Sequence, residues 1–292
     1  MLDDLLQHST HRLDRFKIYR IQHRNILTFL GYYEDQKAFS IVLKYAPHGD
    51  LLEYMVQFQG KQRHEMVRLV LRQVASALAY LQGLQIAHRD LKPENVLVVG
   101  PSQIQVADFG WACWWKPGQW NTTLCGTPEY VPPECLAHPR RYHAWQVDSW
   151  ALGVLAWELH RGYSPFHVED SSTLGEDQTR HAIFDKIRRF KGISLPCAPL
   201  RATLMDDFCG ALLQVEPDRR LEAPEVLEHP LLFQPRQSQP HACGRASHHH
   251  HRHHHHPPHP VTPEFSAQQP SPTVAQRCQL FQPTSTSQIH CL

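Results

Sequence analysis

The segment AHRDLKPEN at residues 87–95 decides the fold of this 292-residue chain, together with DFG at residues 108–110. These segments contain three acidic side chains, Asp90, Glu94 and Asp108, and the carboxamide of Asn95. Carboxylate and carbonyl oxygens are the ligands that Mg²⁺ prefers. An isolated HRD or DFG triplet is weak evidence, but HRDLKPEN with DFG starting thirteen residues after Asn95 is a specific pattern.

The two segments resemble the active site of the protein kinases. The resemblance implies that Asp90 accepts or orients the proton of a substrate hydroxyl, and that Asn95 and Asp108 hold Mg²⁺ against the phosphates of ATP. Lys92 would stabilise negative charge on the transferring phosphoryl group. A lysine at this place is typical of serine/threonine kinases, since the tyrosine kinases carry a different sequence there. The expected function is therefore ATP-dependent phosphorylation of serine and threonine on protein substrates.

The residues around this site are similar to those of the Aurora serine/threonine kinases. Five segments carry the similarity: Trp111, TTLCGT at 122–127, PPE at 132–134, LKYAP at 43–47 and HRNIL at 23–27. Two features differ from the Aurora pattern. PEY at 128–130 is closer to the basophilic kinases, and Trp120-Asn121 stands where Aurora kinases carry two arginines.

The resemblance implies an α+β, two-lobed protein kinase-like fold with an incomplete small β lobe and a complete, mainly α-helical large lobe. Residues 1–46 are expected to be the remnant of the small lobe, with an αC-like helix and two strands at about 26–33 and 39–45. Residues 47–233 are expected to form the large lobe. Within it, apolar residues recur at helical spacing from Val67 to Leu84.

The phosphate-binding half of a kinase is not recognisable at the start of this chain. A complete kinase begins with a Gly-rich strand–turn–strand and a lysine on the third strand, which pairs with a glutamate on the next helix. HRNIL at 23–27 matches the segment just after that helix, so Asp14 occupies the place of the glutamate. Residues 1–13 contain no glycine and no lysine. Activity of this polypeptide is therefore doubtful. The alternative is a catalytically silent scaffold that binds kinase partners or substrates, although retention of the base and both Mg²⁺ ligands favours descent from an active enzyme.

The ATP site is expected to combine a hinge with the end of the catalytic loop. Leu43 to Ala46 would form the hinge, in which backbone groups of Lys44 and Ala46 bond adenine. Glu94 and Leu97 are the further expected nucleotide contacts. The cofactors implied are ATP and Mg²⁺.

Other matches to the family concern structure rather than chemistry. Asp148 is expected to bind the backbone of the catalytic loop, Glu134 and Arg220 to form a buried ion pair, and Phe109 and His88 to stack in the internal column of apolar side chains that aligns the two lobes. HPLLF at 229–233 is expected to form the closing helix, and residues 169–177 are expected to form a solvated loop.

The segment after DFG is expected to be regulatory. Thr123 is the expected activating phosphosite, and Arg89 would grip its phosphate, which adds close to two negative charges and orders the loop. The alternative is a hydroxyl that is never modified. Trp114, Trp115 and Trp120 would either anchor an activating partner protein or pack on neighbours of their own loop.

Substrate preference follows from two glutamates. Glu94 and Glu158 match positions at which basophilic relatives pair with arginines upstream of the target residue, and a carboxylate can hold arginine bidentately. In the alternative, Glu94 faces the ribose or solvent and Glu158 accepts internal hydrogen bonds.

Composition excludes several classes of protein. A formal net charge of +1 gives no electrostatic case for nucleic-acid binding. No apolar run is long enough to span a bilayer, and the charged first thirty residues do not form a secretory signal. The eight cysteines include no C-x-x-C pair and are expected to be reduced thiols. The expected location is the cytoplasm or nucleus and, by resemblance, the spindle or centrosome.

The last part of the chain differs in composition from the rest. Residues 234–292 are rich in Pro, Gln, Ser and His and are expected to be disordered. Eight histidines interrupted by Arg252 occupy 248–256. Imidazole binds Zn²⁺, Ni²⁺ or Cu²⁺, but a low-complexity repeat is the preferred interpretation.

Overall fold

The computed structural model describes residues 21–34, 39–169, 174–193 and 203–233, together with the backbone of 287–291. It has the expected two-lobed α+β architecture, in which a small β-sheet precedes a mainly α-helical lobe that contains the hydrophobic core. The expected αC-like helix and Asp14 lie outside the described residues.

The small lobe contains strands β1 (Phe29–Glu34) and β2 (Phe39–Leu43), which pair antiparallel. β1 begins later than expected because the residues before it join the large lobe. The amide of Leu27 donates to the carbonyl of Val106 at 2.8 Å, and the amide of Val106 donates to the carbonyl of Asn25 at 2.8 Å. This short parallel contact fixes the position of β1 relative to the segment that leads into DFG.

The elements that surround the catalytic segment follow in chain order. They are helix α1 (Leu51–Met55), helix α2 (Gly60–Gly83), and strands β3 (Ile86–Ala87), β4 (Val96–Gly100), β5 (Gln103–Val106) and β6 (Cys113–Trp114). β4 pairs antiparallel with β5, and β3 pairs antiparallel with β6. The β4–β5 hairpin and the β3–β6 pair therefore place the catalytic loop next to the segment that contains DFG.

Helix α2 starts seven residues before the expected Val67. Its first turns are polar and mostly exposed, so they carry no apolar periodicity, whereas Val70, Leu71, Val74 and Leu78 bury one face in the core. Burial of such side chains stabilises the fold by about 1.5–3 kcal/mol each.

The remaining helices are α3 (Ala144–Arg161), α4 (Glu176–Arg189), α5 (Leu204–Leu212) and α6 (Ala223–Val226). α3 is buried almost all round, as its apolar sequence predicts. Gly153 allows α5 to approach α3 closely, since a β-carbon at this position would lie 2.9 Å from the Cβ of Leu212.

Two sequence predictions are wrong. The expected solvated loop at 169–177 extends too far, because Glu176 and Asp177 already form the first turn of α4. HPLLF at 229–233 forms hydrogen-bonded turns instead of a closing helix. Pro230 contributes to this difference, because it disfavours helical geometry in the residue before it, His229.

The tail prediction also needs correction at its end. Ser287–Cys291 form strand β7, which pairs parallel with β2, with Phe39 opposite Ser287 and Leu43 opposite Cys291. The strand therefore covers the edge of β2 that faces away from β1. The rest of 234–292, including the histidine tract, lies outside the described residues.

No helix in the described part of the chain combines the length and apolar character needed to cross a bilayer.

Candidate active site

The catalytic loop begins directly after β3, and Asp148 of helix α3 binds its backbone. The buried carboxylate of Asp148 accepts from the amide of His88 at 2.7 Å and from the amide of Arg89 at 2.7 Å. Arg89 has a φ of 64°. Burial raises the pKa of Asp148, whereas the nearby charge of His88 and the two amide hydrogen bonds act in the opposite direction. The expected tie from Asp148 to the catalytic-loop backbone is confirmed.

Asp90 is held by hydrogen bonds to both carboxylate oxygens. The backbone amide and the hydroxyl of Thr127 donate to Oδ1 at 2.9 and 2.8 Å. The carboxamide of Asn95 donates to Oδ2 at 3.1 Å and to the backbone carbonyl of Asp90 at 2.8 Å. Lys92 Nζ lies 3.9 Å from Oδ2. Every contact with a carboxylate oxygen is made by a donor, so the Asp90 side chain is held in one orientation in the cleft.

Asp108 reaches the same cleft from the end of β5. The amide of Ala107 donates to the carbonyl of Asn95 at 2.8 Å, which joins the two motifs through the backbone. Asp108 has a φ of 59°, and its exposed carboxylate accepts from the amide of Gly110 at 3.1 Å. Phe109 turns inward and meets the His88 ring edge to face, at a centroid distance of 5.0 Å and an interplanar angle of 65°, so the two rings are in contact but do not stack face to face.

These groups fit Mg²⁺ by the chemistry of their donor atoms. The nitrogen of the Asn95 side chain donates to Asp90, so its carboxamide oxygen faces away from these bonds and, like the Asp108 carboxylate, is an oxygen donor of the kind that Mg²⁺ prefers. Within the described ranges, no cluster of three or more His, Cys, Asp or Glu could hold a metal ion. Mg²⁺ commonly takes only one or two protein ligands and completes its shell with water and phosphate oxygens.

The expected hinge connects β2 to the large lobe. The amide of Lys44 donates to the carbonyl of Thr28 at 2.9 Å, so of the two backbone groups of Lys44 only the carbonyl is left for adenine. No hydrogen bond between described residues uses the amide of Ala46. Leu43 and Leu97 are half-buried and Glu94 is exposed, which are compatible environments for nucleotide contacts.

A family model described as a protein kinase domain matches residues 13–232. The chain belongs to the protein kinase family. Protein kinases use ATP and Mg²⁺.

This kinase is similar to several curated Aurora kinases. It is 32% identical over 218 residues to the Aurora kinase of Schizosaccharomyces pombe, covering 75% of this chain and 57% of the relative. It is 34% identical over 219 residues to Aurora kinase A-B of Xenopus laevis, covering 74% of this chain and 49% of the relative. With Aurora kinase C of Mus musculus it shares 32% identity over 225 residues, covering 77% of this chain and 75% of the relative. It is therefore an Aurora-like serine/threonine kinase, although it spans about half the length of the first two relatives.

The activation segment of this kinase is anchored at its end by an ion pair. The guanidinium of Arg220 donates to Glu134 Oε1 at 2.6 Å and to Oε2 at 2.7 Å. Arg220 also lies over the Trp150 ring, 4.8 Å from its centroid. The expected pairing is confirmed.

Thr123 is exposed in the middle of the segment. Its carbonyl accepts from the Tyr142 hydroxyl at 2.6 Å, and Arg89 Nη1 donates to the same hydroxyl at 3.5 Å. The structure therefore brings Arg89 near Thr123 through Tyr142, which sequence analysis did not identify. Arg140 was missed as well, although its guanidinium donates to the carbonyl of Thr122 at 3.1 Å.

Two of the loop tryptophans contact aromatic residues at the start of helix α3, which follows the activation segment. Trp120 stacks on His143 at a centroid distance of 4.2 Å, and Trp115 lies 6.4 Å from Trp145. These contacts favour the packing interpretation for Trp115 and Trp120. Trp114 belongs to β6 and keeps 38% of its surface exposed.

Proposed function

We propose that this chain phosphorylates serine and threonine residues of protein substrates with Mg-ATP. The observation that carries the proposal is the joint geometry of Asp90, Asn95 and Asp108, in which a proton acceptor lies beside two oxygen ligands for Mg²⁺. In the proposed reaction, the substrate hydroxyl oxygen bonds to the γ-phosphorus of ATP. The bond from that phosphorus to the β–γ bridging oxygen breaks, ADP leaves, and the hydroxyl proton passes to Asp90.

The side chains around the reacting atoms have separate roles in this proposal. Thr127 orients Asp90 by two hydrogen bonds to Oδ1, so that Oδ2 faces Asn95 and Lys92. Lys92 stabilises charge on the transferring phosphoryl group. Asn95 and Asp108 bind Mg²⁺, which neutralises the ATP phosphates when bound. The carbonyl of Lys44 and the amide of Ala46 bond adenine.

A preference for basic substrates is part of the proposal. Burial raises the pKa of Glu158; the hydrogen bond from Tyr130 lowers it, and the carboxylates of Glu129 and Glu94 raise it further. Glu158, Glu129 and Glu94 are therefore close enough to interact electrostatically, although the bond from Tyr130 also fits the alternative in which Glu158 accepts internal hydrogen bonds. A cluster of this kind attracts arginine or lysine upstream of the target residue.

Thr123 is the proposed activating phosphosite, and Arg89 is a proposed ligand of its phosphate. An activating partner protein and action at the spindle or centrosome are proposed from the Aurora likeness alone. Imaging of the tagged protein in dividing cells tests the location, and a signal spread evenly through the cytoplasm of mitotic cells argues against it.

A silent scaffold remains the second candidate for this polypeptide. The observation that favours it is the sequence of residues 1–30, which contain no glycine and a single lysine, Lys17. The Gly-rich loop and the lysine–glutamate pair, which hold ATP in active kinases, are not recognisable within these thirty residues.

Mg-ATP binding separates the two candidates. We expect Mg-ATP to raise the melting temperature of the protein, and we expect Asp108→Asn to abolish the shift because it removes a Mg²⁺ ligand. Phosphorylation of an arginine-rich serine peptide should follow, with Glu158→Gln reducing the preference for arginine and the exposed Glu228→Gln as a control. Absence of both a thermal shift and peptide phosphorylation would favour the scaffold.

A further inference from the structure

The segment around Thr123 contains no cation of its own. From residue 117 to residue 129 the sequence has no lysine, arginine or histidine. A positive charge of this chain that binds a phosphate on Thr123 therefore comes from outside residues 117–129. This requirement matters because a phosphothreonine carries close to two negative charges at neutral pH.

Residues 121–123 lie alongside residues 140–142. The amide of Asn121 donates to the carbonyl of Tyr142 at 2.8 Å, and the amide of Tyr142 donates to the carbonyl of Asn121 at 3.1 Å. This bridge places Arg140 next to Thr122, and Arg140 Nη1 lies 3.1 Å from the carbonyl oxygen of Thr122. That carbonyl belongs to the peptide bond that joins Thr122 to Thr123, so the guanidinium lies within one peptide of the proposed phosphosite.

Among the described residues, the guanidinium of Arg140 donates to neutral acceptors. Its Nε donates to the carbonyl of Cys135 at 2.5 Å, and its second hydrogen bond is the one to Thr122. Arg89 is held in the same way, by the carbonyl of Trp111 at 2.8 Å and by the hydroxyl of Tyr142. In the part of the chain that the structure describes, neither guanidinium forms an ion pair with a carboxylate. A guanidinium has five N–H donors, so both retain donors for a further ligand.

We propose that Arg140 is a second phosphate-binding residue of the activation segment and acts together with Arg89 on phosphorylated Thr123. This inference rests on the proposed function, in which Thr123 is the phosphosite. Arg140 approaches from the side of Thr122, and Arg89 approaches through Tyr142, which donates to the carbonyl of Thr123 at 2.6 Å. Replacing neutral carbonyl acceptors by a dianionic phosphate gives charge-assisted hydrogen bonds, which are about twice as strong.

Arg140 therefore couples the phosphate to the end of the activation segment. Its bond to Cys135 lies beside Glu134, which pairs with Arg220. A phosphate held by both guanidinium groups ties the catalytic loop, through Arg89, to the segment that carries Arg140. Arg140 is a positioning residue in this scheme, since it touches neither substrate nor ATP.

The test uses the full chain with phosphothreonine introduced at position 123 during translation, so that the result does not depend on the activity of this chain. The second pKa of the phosphate, about 6 in a free phosphothreonine, is measured by ³¹P NMR titration. Two nearby guanidinium groups should lower it by roughly one unit, because they favour the dianion.

Three variants decide the outcome. Arg140→Gln should raise the phosphate pKa by about half a unit, and Arg140→Lys, which keeps the charge, should raise it less. Arg141→Gln is the matched control, since Arg141 is an exposed neighbour without a hydrogen bond to the described part of the segment, and it should leave the phosphate pKa unchanged. A merely structural role for Arg140 would not move this pKa in a folded protein.

An Arg140→Gln protein that keeps the wild-type phosphate pKa would overturn the inference. Should Arg140→Gln fail to fold, as judged by circular dichroism of the unphosphorylated protein, the Lys variant decides by the rate at which a phosphatase removes the phosphate from Thr123. Lysine keeps the charge but cannot hold phosphate bidentately, so a removal rate equal to that of the wild type rejects the role. The proposed function is tested separately by Mg-ATP binding of the unphosphorylated protein, so its failure and that of Arg140 are distinguishable.

Discussion

The carboxylate of Glu134 and the guanidinium of Arg220 form a bidentate ion pair, with distances of 2.6 and 2.7 Å. The Arg220 side chain has no exposed surface and that of Glu134 has 11%. Arg220 also donates to the carbonyl oxygens of Gln214 at 2.8 Å and Gln146 at 3.2 Å. The pair therefore ties the end of the activation segment to two other parts of the large lobe.

Glu134→Ala should destabilise the protein by about 3–5 kcal/mol, because it leaves the buried charge of Arg220 without its partner. The free energy of unfolding from urea titration, followed by tryptophan fluorescence, measures the effect. Asp185→Ala is the control, because its pair with Arg188 is exposed and contributes about 0–1 kcal/mol. Equal losses in the two variants would show that the Glu134 pair contributes no more than a surface contact.

Gly126→Ala should loosen the activation segment from the catalytic loop. Gly126 has a φ of 89°, and a β-carbon there would lie 2.6 Å from the backbone oxygen of Arg89. The left-handed conformation alone costs about 1–2 kcal/mol for a residue other than glycine. The clash adds to this cost, so hydrogen exchange at the amide of Thr127, which donates to Asp90, should accelerate about tenfold or more.

The matched substitution for this test is Gly83→Ala. Gly83 ends helix α2, and a β-carbon there meets no atom within 4 Å. Alanine should be neutral or slightly stabilising at that position, because it favours the helix. Unaltered exchange at Thr127 in Gly126→Ala would mean that the contact with Arg89 adjusts without displacing the segment.

Cys113 should react slowly with iodoacetamide at neutral pH. Burial raises its pKa to about 11, with the positive charge of Arg89 acting against this shift. Because only the thiolate reacts, the rate at pH 8 should be about 100-fold below that of the same residue in urea. The rate should also rise about tenfold between pH 8 and pH 9. Mass spectrometry of the peptide that contains Cys113 measures both rates, and equal labelling in the folded and unfolded states would contradict the raised pKa.

Acidification should lower the free energy of unfolding of the protein through the protonation of His23. Burial lowers the pKa of His23, and the nearby charge of Arg24 lowers it further. The folded protein therefore binds this proton less readily than the unfolded chain does. The stabilisation is present above the unfolded value of about 6.5 and decreases as the pH falls below it.

His23→Gln removes this titration. We expect the melting temperature of the wild type to fall more steeply than that of His23→Gln between pH 7 and pH 5. His160→Gln is a useful comparison, because burial also lowers the pKa of His160 in a different part of the large lobe. Parallel pH profiles for the wild type and His23→Gln would show that His23 does not contribute.

The geometry of the catalytic loop could be predicted because its parts are close in sequence. Asn95 and Asp108 are separated only by the β4–β5 hairpin, so their spacing fixes their approach once the hairpin forms. The pairs from Asp148 and Glu134 followed from the family resemblance. Chain geometry alone would not have given them, since Asp148 lies about sixty residues from the amides that it holds.

The contacts that escaped prediction lie in irregular segments without periodicity. Arg140 and Tyr142 contact the activation segment through backbone carbonyl oxygens and a two-residue bridge. Every residue has a carbonyl, so such contacts cannot be recognised from the sequence. The early start of α2 was missed because its first turns are polar. The helix at 229–233 was expected from the family resemblance, whereas Pro230 was the feature of the sequence that argued against it.

Strand β7 stays paired with β2 at its full effective concentration only while the chain between the two strands is uncut. Ser287–Cys291 pair with β2, and the helical lobe lies between these two strands in the sequence. The chain therefore leaves the sheet at β2 and returns to it at β7. Their pairing is intramolecular and does not depend on protein concentration. A single proteolytic cut between Phe233 and Ser287 would convert β7 into a separate peptide, whose occupancy of β2 then follows mass action and falls on dilution.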